Sequence, residues 1–317
     1  MNDDRSCELS IVVPVYNEEG SLEELYGEIT AVLSERGDYE VIFVDDGSTD
    51  RSREILREIH NKDGRVRVIY FRKNFGQTAA LAAGFESSRG RVVVPLDADR
   101  QNDPADIPNL LEKLYEGYDI VSGWRKDRQD NAVTRTFPSR VANWLIGRIT
   151  GVRLHDFGCT LKAYRWESIR HIKLYGEMHR FIPALASWGG ERVAEIVVNH
   201  RARTTGNTKY GLNRTFKVVL DLITIKFLAS FSTKPLYVFG GLGGMCGLGA
   251  MLSGITVLYQ KYANNFSMNK NPLLILTTLL IITSLQFIMM GLLAEILVRT
   301  YHESQGRPIY VVEEVLG

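Results

Sequence analysis

The chain has 317 residues, enough for one large domain with something added or for two modest ones. Its 38 basic and 37 acidic side chains leave a formal net charge of +1, so no global field favours nucleic acid. Three cysteines, Cys7, Cys159 and Cys246, stand far apart without CxxC spacing, which speaks against a disulfide framework and a zinc site and fits a reducing compartment.

The opening MNDDRSCE is polar and acidic, and with no basic stretch leading into an apolar one it predicts no cleavable signal. SIVVPVY (10–16) reads as a buried strand. After it, Ser21 and Glu24 have the spacing of a capping box ahead of Leu22, Leu25, Ile29, Val32 and Leu33 at helical intervals. The alternation repeats: strand VIFVDD (41–46), helix around 55–59, strand VRVIYF (66–71), helix around 78–85, strand VVVPLDAD (92–99), helix 107–114, strand DIVSG (119–123). Short apolar strands separated by amphipathic helices predict an α/β domain with a mostly parallel sheet covered on both faces. Ligands of such sheets bind beyond the carboxyl ends of the strands.

Two stretches further on are apolar with basic residues beside them. FPSRVANWLIGRITG (137–151) sets Val141, Trp144, Leu145 and Ile149 at helical spacing, and FKVVLDLITIKFLASF (216–231) carries scattered lysines. Both are expected to be helices in a bilayer interface, because two uncharged runs follow. Residues 235–258 and 273–294 contain no charge, and at 1.5 Å per residue each run spans roughly 30 Å of hydrocarbon. Lys217, Lys226 and Lys234 before the pair and Arg299 and Arg307 after it outweigh Lys261 and Lys270 between the spans, which predicts cytoplasmic ends. Gly240 with Gly244, and Gly243 with Gly247, form a small-xxx-small pattern permitting close helix contact, within the hairpin or in a homo-oligomer.

Polar clusters follow three of the strands: VYNEEG, VDDGSTD and DADRQND. Each alone reads as ordinary turn chemistry, but three at one sheet edge point to a site. Asp97 and Asp99 are two apart, with Gln101 next in the same register, so on an extended segment they point the same way. Adjacent carboxylates repel unless a cation lies between them, and hard oxygen donors suit Mg²⁺ or Mn²⁺ with positions left for water and a diphosphate. The chain has neither GxGxxG after the first strand nor GxxxxGK[ST] anywhere, which excludes a nicotinamide dehydrogenase and a P-loop.

PVYNE, VDDGSTD, the DXD at a strand end and the basic stretch NHRARTTGNTKY resemble the family 2 glycosyltransferases of GT-A fold. DADRQNDP, HDFGCTLKAYR and the two C-terminal spans are further similar to the polyprenyl-phosphate glycosyltransferases, a group that includes dolichyl-phosphate mannose synthases and bactoprenol glucosyltransferases. The resemblance covers nearly the whole chain. It implies inverting transfer of a hexose, with glucose from UDP-glucose the first choice, to the phosphate of a membrane polyprenol such as undecaprenyl or dolichyl phosphate.

Carried over position by position, the resemblance assigns Pro14, Tyr16, Glu18 and Asp46 to the base and ribose of the donor. It assigns Asp97, Asp99 and Gln101 to metal and diphosphate, Arg201 and Lys209 to the diphosphate from the other side, and Arg125, Arg135, Ser139 and Arg140 to the acceptor phosphate. Asp156 is the residue offered as a base. Thr208 stands where serine is usual, and Arg100 where an apolar residue is common. The implied organisation is a cytoplasmic catalytic domain (1–213), an interface helix region (214–233), a transmembrane hairpin (234–298) and a cytoplasmic tail (299–317). The competing readings are a tethered enzyme with a different lipid or a soluble acceptor, a processive polysaccharide synthase, for which two spans are too few, and a non-enzymatic membrane scaffold.

Overall fold

The structure, a computed structural model, describes residues 5–126, 147–148, 151–172, 174, 178–187, 189–201, 235–264, 267, 271–304 and 312–316. The chain forms two compact units, Met1–Ile223 with Pro308–Gly317, and Thr224–Arg307.

Among the described residues the first unit has an eight-stranded sheet with helices packed on it. Its strands are β1 (Cys7–Val15), β2 (Tyr39–Asp45), β3 (Val66–Phe71), β4 (Gly90–Pro95), β5 (Ile120–Trp124), β6 (Lys162–Arg165), β7 (Val193–Val197) and β8 (Val312–Leu316). They lie in the order β7-β5-β6-β4-β1-β2-β3-β8. β4, β1, β2 and β3 are mutually parallel, as are β5 and β7, while β6 runs antiparallel to both β4 and β5. Helices α1 (Leu22–Leu33), α2 (Ser52–Lys62), α3 (Gln77–Ser87) and α4 (Ile107–Tyr115) connect the strands, as the alternation predicts. Every residue of β2 is buried, the signature of a strand covered on both faces.

α1 buries Leu22, Leu25, Ile29 and Leu33 in the core, a stripe worth roughly 2 kcal/mol per side chain. Its expected capping box does not form: the Ser21 hydroxyl turns back to donate to the Glu18 carbonyl at 3.1 Å and caps no helix amide. α3 approaches β1 closely because Gly84 has no side chain; a Cβ there would sit 2.2 Å from Val12 Cγ1.

One departure bears directly on the site. β4 ends at Pro95, and the chain turns at Ala98 and Asp99 before Arg100 adopts a left-handed φ of 59°. Asp97 and Asp99 are therefore not alternate residues of one extended strand, and strand register does not aim them the same way. The Asp99 carboxylate accepts the Gln101 amide at 3.2 Å, a local bond that competes with strand geometry.

The residues after the second apolar run contain an element that the sequence pattern does not predict. β8 pairs antiparallel with β3 at the sheet edge, setting Ile69 opposite Val315 and Tyr70 opposite Glu314, and Arg57 forms an ion pair with Glu314.

The second unit is the helix pair α5 (Pro235–Asn264) and α6 (Pro272–Ser304). Both contain segments long and apolar enough to cross a membrane, Phe239–Asn264 and Pro272–Ala294, and they fit membrane spans. Large apolar side chains face outward, Met245 at 71% and Ile275 at 75% exposure, as lipid solvation requires. Of the two glycine pairs, the one at Gly243 and Gly247 meets α6: a Cβ at Gly243 would lie 3.0 Å from the Ser284 carbonyl, and the Ser284 hydroxyl donates to the Gly243 carbonyl at 2.7 Å. Gly240 and Gly244 have nothing within 4 Å of a built Cβ. Thr277 to Ser253 at 2.9 Å and Asn271 to Gln260 at 2.7 Å add polar bonds between the helices.

Candidate active site

The loops after β1 and β2 are stitched together at the carboxyl edge of the sheet. The Asn17 amide donates to the Ser48 hydroxyl at 3.0 Å, the Glu18 amide to the Ser52 hydroxyl at 3.0 Å, and Asn17 Oδ1 accepts the Thr49 amide at 2.8 Å. Pro14 lies within β1 opposite Val44, and Tyr16 and Glu18 follow on the loop, all three half-buried. Gly47 has a φ of 71° and a Cβ there would meet the Lys73 carbonyl carbon at 2.5 Å, so only glycine lets the β2 loop pass the segment after β3. That segment is fastened to the buried Asp46, whose carboxylate accepts the amides of Phe75 at 2.6 Å and Gly76 at 2.9 Å. Burial raises the Asp46 carboxyl above its ordinary value, and the two amides act against this. A carboxylate has about four lone-pair positions, so capacity remains for a further donor.

After β4, Asp97 accepts from Gln77 Nε2 at 2.8 Å and from Thr160, and it faces the cations Arg125, Lys162 and Arg180. Burial raises its pKa while the hydroxyl and the three cations lower it. The turn that follows is tied down from both sides. Arg100 pairs with Glu24 and, at 2.6 Å, with Glu28; Arg201 reaches Glu28 at 2.8 Å and Asp103 at 2.8 Å, and its amide donates to the Gln101 carbonyl at 2.9 Å. Arg201 thus braces the loop that carries Asp99 and Gln101, with its guanidinium engaged by two carboxylates. Among the described residues no three His, Cys, Asp or Glu side chains gather as a metal cage. The donor set of Asp97, Asp99 and Gln101 is nonetheless two carboxylates and an amide oxygen, hard ligands that fit Mg²⁺ or Mn²⁺ sharing its shell with phosphate and water.

Beyond β5 lies a cationic cluster. Arg125 grips Asp156 in two bonds, Nε to Oδ2 at 2.8 Å and a terminal nitrogen to Oδ1 at 3.2 Å, with the Asp156 side chain 2% exposed. By sequence these two residues have separate roles; the fold makes them one charge-assisted pair. Lys162, also buried, donates to the carbonyls of Cys159 and Phe157, and desolvation lowers its pKa. His179, buried against the Thr78 hydroxyl at 2.7 Å, is pushed down to about 3 by burial and by the charges of Arg180 and Lys162, so its imidazole is neutral at ordinary pH.

Lys162, His179, Arg180 and Glu195 are not marked as site residues by the sequence. Lys162 stands within HDFGCTLKAYR and is legible there as a charge inside a motif; the others have no local signal. Arg135, Ser139, Arg140, Thr208 and Lys209, with most of the expected helix at 137–151 and all of that at 216–231, lie outside the described residues.

A sheet whose parallel strands deliver acids to one edge, facing arginines and a lysine from later segments, is an arrangement for handling phosphate, and residues 10–173 match the family described as Glycosyl transferase family 2. The chain belongs to that family. As a family 2 glycosyl transferase it is an enzyme, and its relatives are similar along nine-tenths or more of their length. It is 42% identical over 316 residues to a dodecaprenyl-phosphate galacturonate synthase of Rhizobium johnstonii, covering 98% of this chain and 94% of that protein. To an undecaprenyl-phosphate 4-deoxy-4-formamido-L-arabinose transferase of Pseudomonas aeruginosa it is 40% identical over 311 residues, covering 97% and 90%. Among solved structures, glucosyl-3-phosphoglycerate synthase from Mycobacterium tuberculosis, crystallised with Mn²⁺ and UDP-glucose, superposes with a TM-score of 0.53 at 18% identity, over 72% of this chain and 80% of that one. At that identity the likeness speaks for the GT-A-like fold, in agreement with the α/β expectation.

Proposed function

We propose that this family 2 glycosyl transferase moves a sugar from a nucleotide diphosphate donor to the phosphate of a membrane polyprenol, with inversion at the anomeric carbon. The observation that carries this reading is the extent of similarity to two enzymes named for sugar transfer to polyprenyl phosphates, over 98% and 97% of the chain, apolar helices included. Motif resemblance alone makes glucose the first choice; the names of these relatives favour galacturonate or a 4-formamido-arabinose.

In this reading Pro14, Tyr16, Glu18 and Asp46 hold the nucleoside, with the remaining lone pairs of Asp46 free to accept from a base N–H. Asp97, Asp99 and Gln101 hold a divalent ion, which when bound supplies Lewis-acid neutralisation of the departing diphosphate. Arg125 fixes the acceptor phosphate. A phosphate monoester with a second pKa of about 6 is largely dianionic at neutral pH and attacks without surrendering a proton, so the chief work of Asp156 is to hold Arg125 in place. The catalytic unit and both ends of the hairpin are assigned to the cytoplasm on the basis of the flanking lysines and arginines.

The test uses membranes containing the full chain, with labelled UDP-galacturonate, UDP-glucose or UDP-4-formamido-arabinose and either polyprenyl phosphate or free polyprenol. The expected result is label in organic-extractable lipid from one donor, with the phosphate acceptor only, lost on chelation and regained with Mn²⁺ or Mg²⁺. Label in polymer or in a water-soluble product overturns the acceptor assignment, and transfer indifferent to chelation overturns the metal assignment.

A further inference from the structure

Asp156 is fixed on two sides by different groups. Its carboxylate is gripped by Arg125, while its main chain is gripped by Glu195, a residue 39 positions further on in the middle of β7. β7 pairs parallel with β5, placing Glu195 opposite Ser122, three residues before Arg125 on the adjoining strand. One Glu195 carboxylate collects four bonds: the His155 amide at 3.0 and 3.1 Å to its two oxygens, the His155 ring Nδ1 at 2.7 Å and the Asp156 amide at 3.1 Å. The Glu195 side chain is 11% exposed and the His155 side chain 67%, so of the four bonds the one to the Asp156 amide is the most sheltered from water. The His155 ring is also stacked on Trp124, the last residue of β5, with centroids 4.1 Å apart and planes 16° apart. The HDFG segment is therefore docked at three points, onto the middle of β7 through Glu195 and onto the end of β5 through Trp124 and Arg125. Glu195 bonds the main chain of Asp156, whereas Arg125 bonds its carboxylate.

We propose that Glu195 is a positioning residue for the transfer reaction, setting the place of the Asp156 carboxylate and through it the Arg125 guanidinium. This rests on the reading of Arg125 and Asp156 as the acceptor-phosphate side of the site. Without Glu195 the amides of His155 and Asp156 lose their acceptor, and the segment carrying Asp156 is free to move by the few tenths of an ångström to one ångström that spoil an aligned attack. Gln at this position keeps one oxygen that both amides can share, so the conservative variant retains most of the effect.

The experiment is a double-mutant cycle on the full chain in membranes, with Glu195→Ala and Asp156→Asn alone and combined, and with Glu195→Gln as the rescue. Turnover is read with saturating nucleotide sugar and polyprenyl phosphate, and UDP affinity is measured alongside. Glu195→Ala is expected to lower kcat about tenfold in the wild-type background and less than about twofold when Asp156 is already Asn, since residues acting through one another are not additive. Glu195→Gln is expected to stay within about threefold of wild type, and UDP affinity to hold for all three single variants. An equal loss from Glu195→Ala in both backgrounds overturns the proposal, as does a loss accompanied by weakened UDP binding, which marks a general structural role. Where Asp156→Asn leaves no measurable turnover, the same cycle is read from polyprenyl-phosphate binding in the presence of UDP: a smaller loss in the Asn background supports the proposal and an equal loss overturns it. If the wild type makes no lipid-linked sugar from any donor, the functional reading itself fails. If it does so and Asp156→Asn is without effect on turnover and binding, the acceptor-side reading survives through Arg125 and the positioning claim alone is lost.

Discussion

Two buried carboxylates at the same sheet edge are held in opposite ways. Asp46, 3% exposed at the end of β2, is received by the main-chain amides of Phe75 and Gly76; Asp156, 2% exposed beside β5, is received by the side chain of Arg125. Amides carry dipoles without net charge, so burial prevails at Asp46 and its carboxyl pKa rises. An arginine carries a full charge that needs its partner as much as the partner needs it. The β2 end of the edge is thus a backbone cradle, tolerant of small changes in charge, whereas the β5 end is an assembly of mutually dependent ions.

Breaking the ion assembly should have the largest effect. Arg125→Met leaves Asp156 buried without its cation and is expected to lower stability by about 3–5 kcal/mol, measured by denaturant unfolding of the detergent-solubilised chain. Adding Asp156→Leu to it should restore much of that stability without restoring transfer; a double variant no more stable than the single one would show that the two charges do not depend on each other. The cradle should break more gently. Asp46→Ala strips one acceptor from two amides that solvent can partly reach, and a loss of about 1–3 kcal/mol is expected, together with weaker UDP binding. A loss equal to that of Arg125→Met would erase the contrast.

The last effect, which vanishes at neutral pH and grows only on acidification, concerns protons. His179 has a folded pKa of about 3 against an ordinary value near 6.5, because burial, Arg180 and Lys162 all disfavour its charged form. Below pH 6.5 the unfolded chain takes up a proton that the folded chain refuses until about pH 3. Stability therefore falls as pH drops through this window, by up to about 1.4 kcal/mol per pH unit from this group. His179→Gln keeps a partner for Thr78 and removes the titration, so its stability should decline less steeply than wild type between pH 6 and pH 4.5. Parallel curves for the two proteins would mean that His179 charges readily in the fold.

Much of the sheet was legible because its signals are local. Apolar runs such as VIFVDD, helical spacing in α1 and acid-rich loops are written within ten residues of one another, and β1 to β3 and α1 to α4 form where their patterns lie. The failures have equally physical causes. Ser21 and Glu24 have capping-box spacing, but the carbonyl of Glu18 stood nearer to the hydroxyl than a helix amide. Asp97 and Asp99 read as a strand-end pair, but Arg100 in a left-handed conformation, held by Glu24 and Glu28 some 70 residues upstream, turns the chain beside them. The resemblance names Arg125 and Asp156 separately, but their ion pair joins positions 31 apart and needs the sheet to form. Glu195 is one acid in VAEIV, indistinguishable by sequence from the outward-facing charge of any strand.

β8 bears on the order in which the protein is made. It lies beyond α5 and α6 in the chain, so the ribosome completes both apolar helices before it reaches the strand that covers β3. Until then the nascent catalytic unit presents an unpaired strand edge, the surface through which β proteins join to one another by mistake. Sealing that edge is conditional on translation having passed the membrane hairpin. A message broken between the second helix and residue 312 would yield a chain that has its site residues and its anchor and yet carries a sticky flank for chaperones and proteases to find.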